Sequence, residues 1–423
     1  MAKTIEQKID VCVDSEIGEL EAVIIHTPGP EVENMTPQTA ERALYSDILN
    51  LSAVSKEYSQ FKSILNMHAQ TFEIRDLLTD IMRDDLVKEN LLGKICTNEN
   101  VYQRKKELMD LPPDQLAKLL IEGVELKRIN LTNFLSNERY MLSPLHNFFF
   151  TRDASVTVNN NVFISCMANK VREREALIME AIFNHHYSLK SKTHSPVNEI
   201  NFDTNSTIEG GDILIAREDI LIVGNSMRTS TQGIDFLLEK LKDKKKKQHI
   251  IVQEMPSSSE SFIHLDMAFT FLSEKEVMIY EPVILNPNQF KTIHIMIDNG
   301  KVVIREKRDI LEALKALKFD VKPINCGGNG DPWIQEREQW HSGANFFAMA
   351  PGKLISYARN TYTLDEMNNN GYEIIRAQDI IKKKRDYKEY GKYVITIESS
   401  ELARGGGGCR CMTMPLKRKS IVN

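Results

Sequence analysis

The stretch Glu209-Gly210-Gly211-Asp212-Ile213-Leu214-Ile215-Ala216-Arg217-Glu218-Asp219-Ile220-Leu221-Ile222-Val223-Gly224 holds two apolar runs separated by three charged residues. That is the pattern of two strands joined by a short polar turn. The hairpin enters through a glycine pair flanked by carboxylates, and an arginine, Arg228, follows it. The same arrangement returns at Asp153–Ser165, Asp266–Tyr280 and Asn345–Ala358, with Arg172 and Arg359 beyond the first and last of these. Any α/β protein contains hairpins with polar ends. The spacing is more specific: Asp153 to Arg172 and Glu209 to Arg228 are both nineteen residues apart, as two copies of one module would be. Repeated hairpins of this kind, each followed by a helix and a further strand, predict ββαβ modules set around an axis, with their polar ends converging on one site.

Outward from these hairpins, Leu20 to His26 (LEAVIIH) reads as a buried strand that stops at Thr27-Pro28-Gly29-Pro30. Residues 77–128 switch to charged, leucine-rich helical periodicity, with a helix start at Pro112-Pro113-Asp114, and are read as a helical subdomain inserted into one catalytic domain spanning 1–423. With 42% apolar residues the chain can bury a large core. A net charge of -5 gives no broad reason to bind nucleic acid or an anionic membrane, and the basic runs Lys244–Lys247 and Lys382–Arg385 read as solvated helix ends or loops. The polar Met1 to Asp10 lacks the apolar core of a secretory signal, and no stretch is long enough to span a membrane, so a cytoplasmic protein is expected. Six cysteines without a CxxC pair suggest reduced thiols, not a disulfide framework or zinc site.

Three places carry chemistry. His264 and Asp266 stand at the start of an expected strand, where alternation would point both to one side; a lone histidine is more often a core residue. Glu209 and Asp212 flank glycines that let the backbone approach a ligand or take positive φ, a setting suited to a cation, although Asp212 could equally cap the turn. Finally, Cys411 follows the run Gly405 to Gly408, Cys409 and Arg410. Such a run is ordinarily a flexible loop, yet Met412, Met414 and Leu416 beyond it are apolar, so it leads into packed structure. A thiol beside Arg410, with a histidine elsewhere in the fold, fits an electropositive setting that lowers a cysteine pKa.

In this order the motifs resemble those of arginine deiminases over nearly the whole chain. Ser15-Glu16-Ile17-Gly18-Glu19-Leu20 and His26-Thr27-Pro28-Gly29 look like the N-terminal signature, and Asn147-Phe148-Phe149-Phe150-Thr151-Arg152-Asp153 is similar to the family's Asn-x-x-Phe-Thr-Arg-Asp. Glu209-Gly210-Gly211-Asp212, His264-Leu265-Asp266, Asn345, Arg359-Asn360 and Arg410-Cys411-Met412-Thr413-Met414-Pro415 follow. The resemblance implies an α/β fold, the five-bladed pseudo-symmetric ββαβ propeller called pentein, and hydrolysis of L-arginine to L-citrulline and ammonia through a covalent thiouronium, with no metal or organic cofactor. It implies Cys411 as nucleophile, His264 and Glu209 as the acid/base pair, and Asp153 and Asp266 as the guanidinium clamp. Asn147, Arg172 and Arg228, with Arg410, are the substrate-binding candidates, and a homo-oligomer without other macromolecular partners is expected.

The chain departs from the pattern at Gly406, where many members carry a second arginine, and at His146, Ala154 and Met267-Ala268. Cys409 could pair with Cys411 or be mistaken for it. Other enzymes of the same fold, an amidinotransferase or an agmatine or citrulline hydrolase, share the nucleophile and differ in acceptor or in the far end of the pocket. A non-catalytic binding module of this fold would have lost the cysteine, histidine and carboxylates.

Overall fold

In the computed structural model the described residues are 8–421, apart from 43, 46, 200–202, 204, 243–245, 258–259 and 286. Five of its sheets share one pairing rule. In each, a hairpin of antiparallel strands is extended by a third strand parallel to the second: Ser155–Val158 and Asn161–Ile164 with Lys192–His194, Ile213–Arg217 and Ile220–Asn225 with Gln248–Glu254, Phe269–Phe271 and Glu276–Ile279 with Lys322–Asn325, and Phe347–Ala350 and Lys353–Tyr357 with Tyr393–Ile397. The fifth joins the chain's two ends. Its hairpin pairs the C-terminal strand Met414–Arg418 with Leu20–Ile25, and Gln70–Glu73 lies parallel to the latter. A parallel third strand needs a crossover, and helices Leu51–His68, Glu173–His185 and Thr231–Lys242 supply it in three of these units.

All four hairpins expected from the sequence are present, as is the strand at Leu20–Ile25. The strand expected at His264 is not. His264 is extended, but Leu265–Met267 forms a 3-10 turn and the strand begins only at Phe269. The cause is Asp212, whose Oδ1 accepts the Leu265 amide at 2.8 Å and so takes the backbone donor a ladder would need.

Helices Ile74–Ile81, Asp85–Asn98, Lys105–Met109 and Pro113–Glu122 fill most of the region expected to be helical, and the last begins with Pro113 at its first position. Their apolar faces do not form a separate core. Leu77, Leu92, Ile95 and Leu120 share one buried cluster with Ile24, Val162, Ile182 and Met414 of the sheets and crossover helix. Of the two basic runs, Lys382–Arg385 sits at the end of helix Ala377–Ile381, with Arg385 paired to Glu373. Lys244 and Lys245 lie outside the described residues, while Lys246 and Lys247 pair with Glu218 and Asp298 on the surface.

Candidate active site

The hairpin entrances converge on a cavity of about 390 Å³, a size usual for small-molecule sites, lined by Asn147, Asp153, Arg172, Arg228, His264 and Cys411 among others. A larger hollow of about 940 Å³ opens beside helices Asp85–Asn98 and Glu173–His185, but none of these six residues lines it.

The glycine run explains how a cysteine reaches this cavity. Gly406 takes φ +79°, and Cβ atoms on Gly407 and Gly408 would come within 2.5 Å of Phe150 and 2.6 Å of Asn345. The run is therefore packed, and it delivers Cys411 against Asn345. The Asn345 amide is oriented without ambiguity: its Oδ1 accepts the Arg410 amide at 2.9 Å, so its Nδ2 faces Cys411 Sγ and donates to it at 3.2 Å. The thiol in turn lies 3.6 Å from Asp266 Oδ2. Cys409 and Cys411 are both free thiols; Cys409 is buried among apolar side chains and does not line the cavity.

His264 Nε2 is 3.0 Å from Glu209 Oε2, and its Nδ1 lies 3.6 Å from Asp153 Oδ1. The neighbouring glycines serve close packing, since neither Gly210 nor Gly211 has positive φ and a Cβ on Gly211 would stand 2.5 Å from His264 Nδ1. Burial disfavours the imidazolium, but the Asp153 charge, the Glu209 hydrogen bond and Asp212 outweigh it and raise the pKa of His264 to about 9. Glu209 is likewise penalised by burial, yet its bond to His264, with Arg228 and Arg172 nearby, lowers it to about 2. The pair is an imidazolium facing a carboxylate at neutral pH. Asp212 is pushed up to about 7 by burial, accepts the Ser226 hydroxyl at 2.6 Å as well as the Leu265 amide, and holds the turn together.

The cations differ sharply. Arg172 is fully engaged: it donates to Asp153 Oδ2 at 2.7 Å and to both oxygens of Glu175. Arg228 is 4.0 Å from Glu209 Oε1 and lines the cavity. Arg410 is turned away from the cavity and does not line it; its guanidinium meets Glu16 at 3.0 and 3.1 Å, Asp266 Oδ2 at 2.8 Å and the Ile213 carbonyl. It fixes Asp266 from behind.

This geometry corrects the expected thiol chemistry. Burial pushes the Cys411 thiol well above its ordinary value, the Asp266 and Asp153 charges add to this, and Arg410, already neutralised, offsets little. The surroundings of the sulfur are negative. Asp153, Glu209 and His264 also offer ligand atoms within 4.8 Å of one another, compact enough for a metal ion. A metal there would have to displace the proton of a histidine held at about 9, so the set is better matched to an imidazolium.

Two charge partners were not singled out from the sequence. Glu175 had a local signal, the i,i+3 spacing after Arg172 at a helix start. Glu16 had none, since it meets Arg410 across 394 residues.

The arginine deiminase family profile matches residues 41–418. The arginine deiminase of Bacillus cytotoxicus is 32% identical over 434 aligned positions, covering 98% of this chain and 100% of the relative. That of Listeria monocytogenes is 33% identical over 430, covering 97% and 98%. Among solved structures, a saxitoxin-pathway amidinotransferase from Microseira wollei superposes with a TM-score of 0.54 at 13% identity over 98% of this chain and 99% of that one. The N-terminal domain of a cyanobacterial arginine dihydrolase gives 0.51 at 11% identity over 94% and 97%. These two share the fold. The matched residues and the full-length relatives together place the chain in the arginine deiminase family.

Proposed function

We propose that this cavity hydrolyses L-arginine to L-citrulline and ammonia. The observation that carries the reading is the convergence of Cys411, His264 and Asp153, from three separate segments, on one cavity that also presents Arg228, with Glu209 buried behind His264 at 3.0 Å. In this reading Asp153 and Asp266 hold the planar guanidinium by charge-assisted hydrogen bonds and fix its central carbon over Sγ. The arriving cation offsets the two carboxylates that raise the thiol pKa, so Cys411 ionises when substrate binds. Its thiolate attacks the guanidinium carbon, and His264, already protonated and oriented by Glu209, gives its proton to the departing nitrogen. Ammonia leaves and a thiouronium remains on Cys411. Neutral His264 then takes a proton from water, the hydroxide adds to the same carbon, and collapse releases citrulline and the thiolate.

Arg228 and Asn147 are assigned to the substrate α-carboxylate, with Arg172 acting chiefly to align Asp153, and Arg410 to align Asp266. The five sheets are read as five blades around an axis, the N- and C-terminal strands closing the ring and residues 77–128 inserted after the first blade's parallel strand. No helix among the described residues is long and apolar enough to cross a membrane; a cytoplasmic homo-oligomer acting on free arginine, without a nucleic-acid partner, fits this reading.

The test is turnover of L-arginine with citrulline as the measured product. The wild type should form it, Cys411→Ser should not, and His264→Ala and Glu209→Gln should each lose about 10²–10⁴-fold in kcat. Near-normal turnover by either acid/base variant would remove that pair from the mechanism.

A further inference from the structure

The hollow of about 940 Å³ takes no part in the chemistry above. It lies between helix Asp85–Asn98 and helix Glu173–His185, against the segment 164–168 that leaves the first internal hairpin. Ile164, Met167, Ala176, Leu177 and Val197 give it an apolar wall. Gly93 widens it: glycine is a poor residue for the middle of a helix, and a Cβ on it would reach the Lys105 ammonium at 3.6 Å, an ordinary contact. The polar groups around this wall are unevenly matched. Lys94 pairs with Glu180 at 2.7 Å and Lys105 with Glu89 at 3.5 Å, and Glu180 also accepts Asn198 Nδ2 at 2.7 Å. Glu173 accepts from Asn98 Nδ2, and Lys170, three residues before it, is exposed. Among the described residues neither Glu173 nor Lys170 has an ion-pair partner, and both line the hollow. The Glu173 charge is felt inside: burial, then Glu173 and Glu209, push the thiol of half-buried Cys166 up to about 11.

We propose that this hollow binds an α-amino acid with an apolar side chain, Glu173 receiving its ammonium, Lys170 its carboxylate and the apolar wall its side chain. The charges select the zwitterion. A simple amine would satisfy Glu173 but face Lys170 unpaired, and a simple carboxylate would do the reverse, whereas an amino acid carries both charges on neighbouring atoms, as the hollow carries both on one turn of chain. The wall supplies the rest, because apolar surface taken from water there favours a side chain without polar atoms. The seat is separate from the cavity of Cys411, yet it backs onto it. Cys166 exchanges backbone hydrogen bonds with Ile208 at 3.1 and 2.9 Å, and the Ala168 amide donates to Glu209 Oε1 at 3.0 Å. An occupant of the hollow rests on the segment that steadies Glu209.

Isothermal titration calorimetry of the full-length chain with L-phenylalanine tests this, with phenethylamine and 3-phenylpropanoate as probes that each lack one of the two charges. L-Phenylalanine should bind saturably, and each single-charge probe at least about tenfold more weakly. Glu173→Gln and Lys170→Gln, at positions that are not fully buried, should each weaken L-phenylalanine by a similar factor. Gly93→Leu fills the hollow with a side chain that suits a helix; circular dichroism should match the wild type while binding is lost. Arg228→Ala, in the other cavity, should leave the affinity unchanged. No saturable binding below about 10 mM, a single-charge probe that binds as well as L-phenylalanine, or an affinity untouched by Glu173→Gln and Lys170→Gln would overturn the proposal. So would binding that survives Gly93→Leu and disappears in Arg228→Ala, which would place the amino acid in the cavity of Cys411.

Discussion

Cys411 meets two carboxylates and one amide, and this decides how its thiol is activated. With burial, Asp266 and Asp153 all raising its pKa, the thiolate is scarce at neutral pH. In the proposed reaction a cation held between the carboxylates reverses this balance, and the Asn345 Nδ2 hydrogen bond stabilises the anion formed. Alkylation of Cys411 by iodoacetamide should therefore be slow at pH 7 and rise steeply only above pH 9, and a non-reacting guanidinium compound should bring the rise to lower pH. Quantifying the alkylated peptide that begins at Cys411 measures this; fast alkylation at pH 7 without any cation would contradict it. Selectivity is also set by single residues. Arg172 is neutralised by Asp153 and Glu175, and Arg228 is the cation proposed to meet the α-carboxylate. L-Arginine should be preferred over agmatine, which lacks that group, by at least about a thousandfold in kcat/KM, and Arg228→Ala should erode the preference mainly by weakening arginine. Equal selectivity in the variant would place the carboxylate elsewhere. Asp153, Glu209 and Asp266 were legible because they lie at corresponding ends of repeated hairpins, and Cys411 because it follows a glycine run that leads into apolar residues. Arg410 was not, because Glu16, which turns it inward, is remote in sequence.

At the scale of elements, the hairpins were legible from apolar runs split by polar turns, whereas the stretch around His264 was not. Its alternation suits a strand, but a long-range acceptor, Asp212, captures the Leu265 amide and folds the chain into a turn. His264 and Asp266 consequently divide the work. His264 faces Glu209 and the cavity, and Asp266 stands between Arg410 and the thiol. The glycine run shows the opposite error, where composition suggests flexibility and the structure shows close packing. Gly407→Ala forces a Cβ to within 2.5 Å of Phe150 and should destabilise the fold by about 1–3 kcal/mol, with a larger loss in kcat because Cys411 is four residues away. Gly391→Ala has open space around it and serves as the control. Urea unfolding of the two variants decides the matter; equal midpoints would mean that the loop yields freely.

For the molecule as a whole, five sheets with the same antiparallel-then-parallel pairing bring their polar entrances to one place. The recurring hairpin pattern made four of the units legible, and two of them shared a spacing. The fifth was hidden because it is assembled from the two ends of the chain, Leu20–Ile25 with Met414–Arg418, and no local window contains both. This closure ties the segment carrying Cys411 to the N-terminal strand. Whether the assembled site attacks arginine with Cys411 and expels ammonia is decided by rapid acid quench of the enzyme with L-arginine followed by tryptic peptide mass analysis. Cleavage after Arg410 separates Cys409 from Cys411. The peptide beginning at Cys411 should gain the mass of arginine less ammonia. The mass of arginine less ornithine on that peptide would indicate amidino transfer, and an adduct on the Cys409 peptide, or none while citrulline forms, would contradict the account.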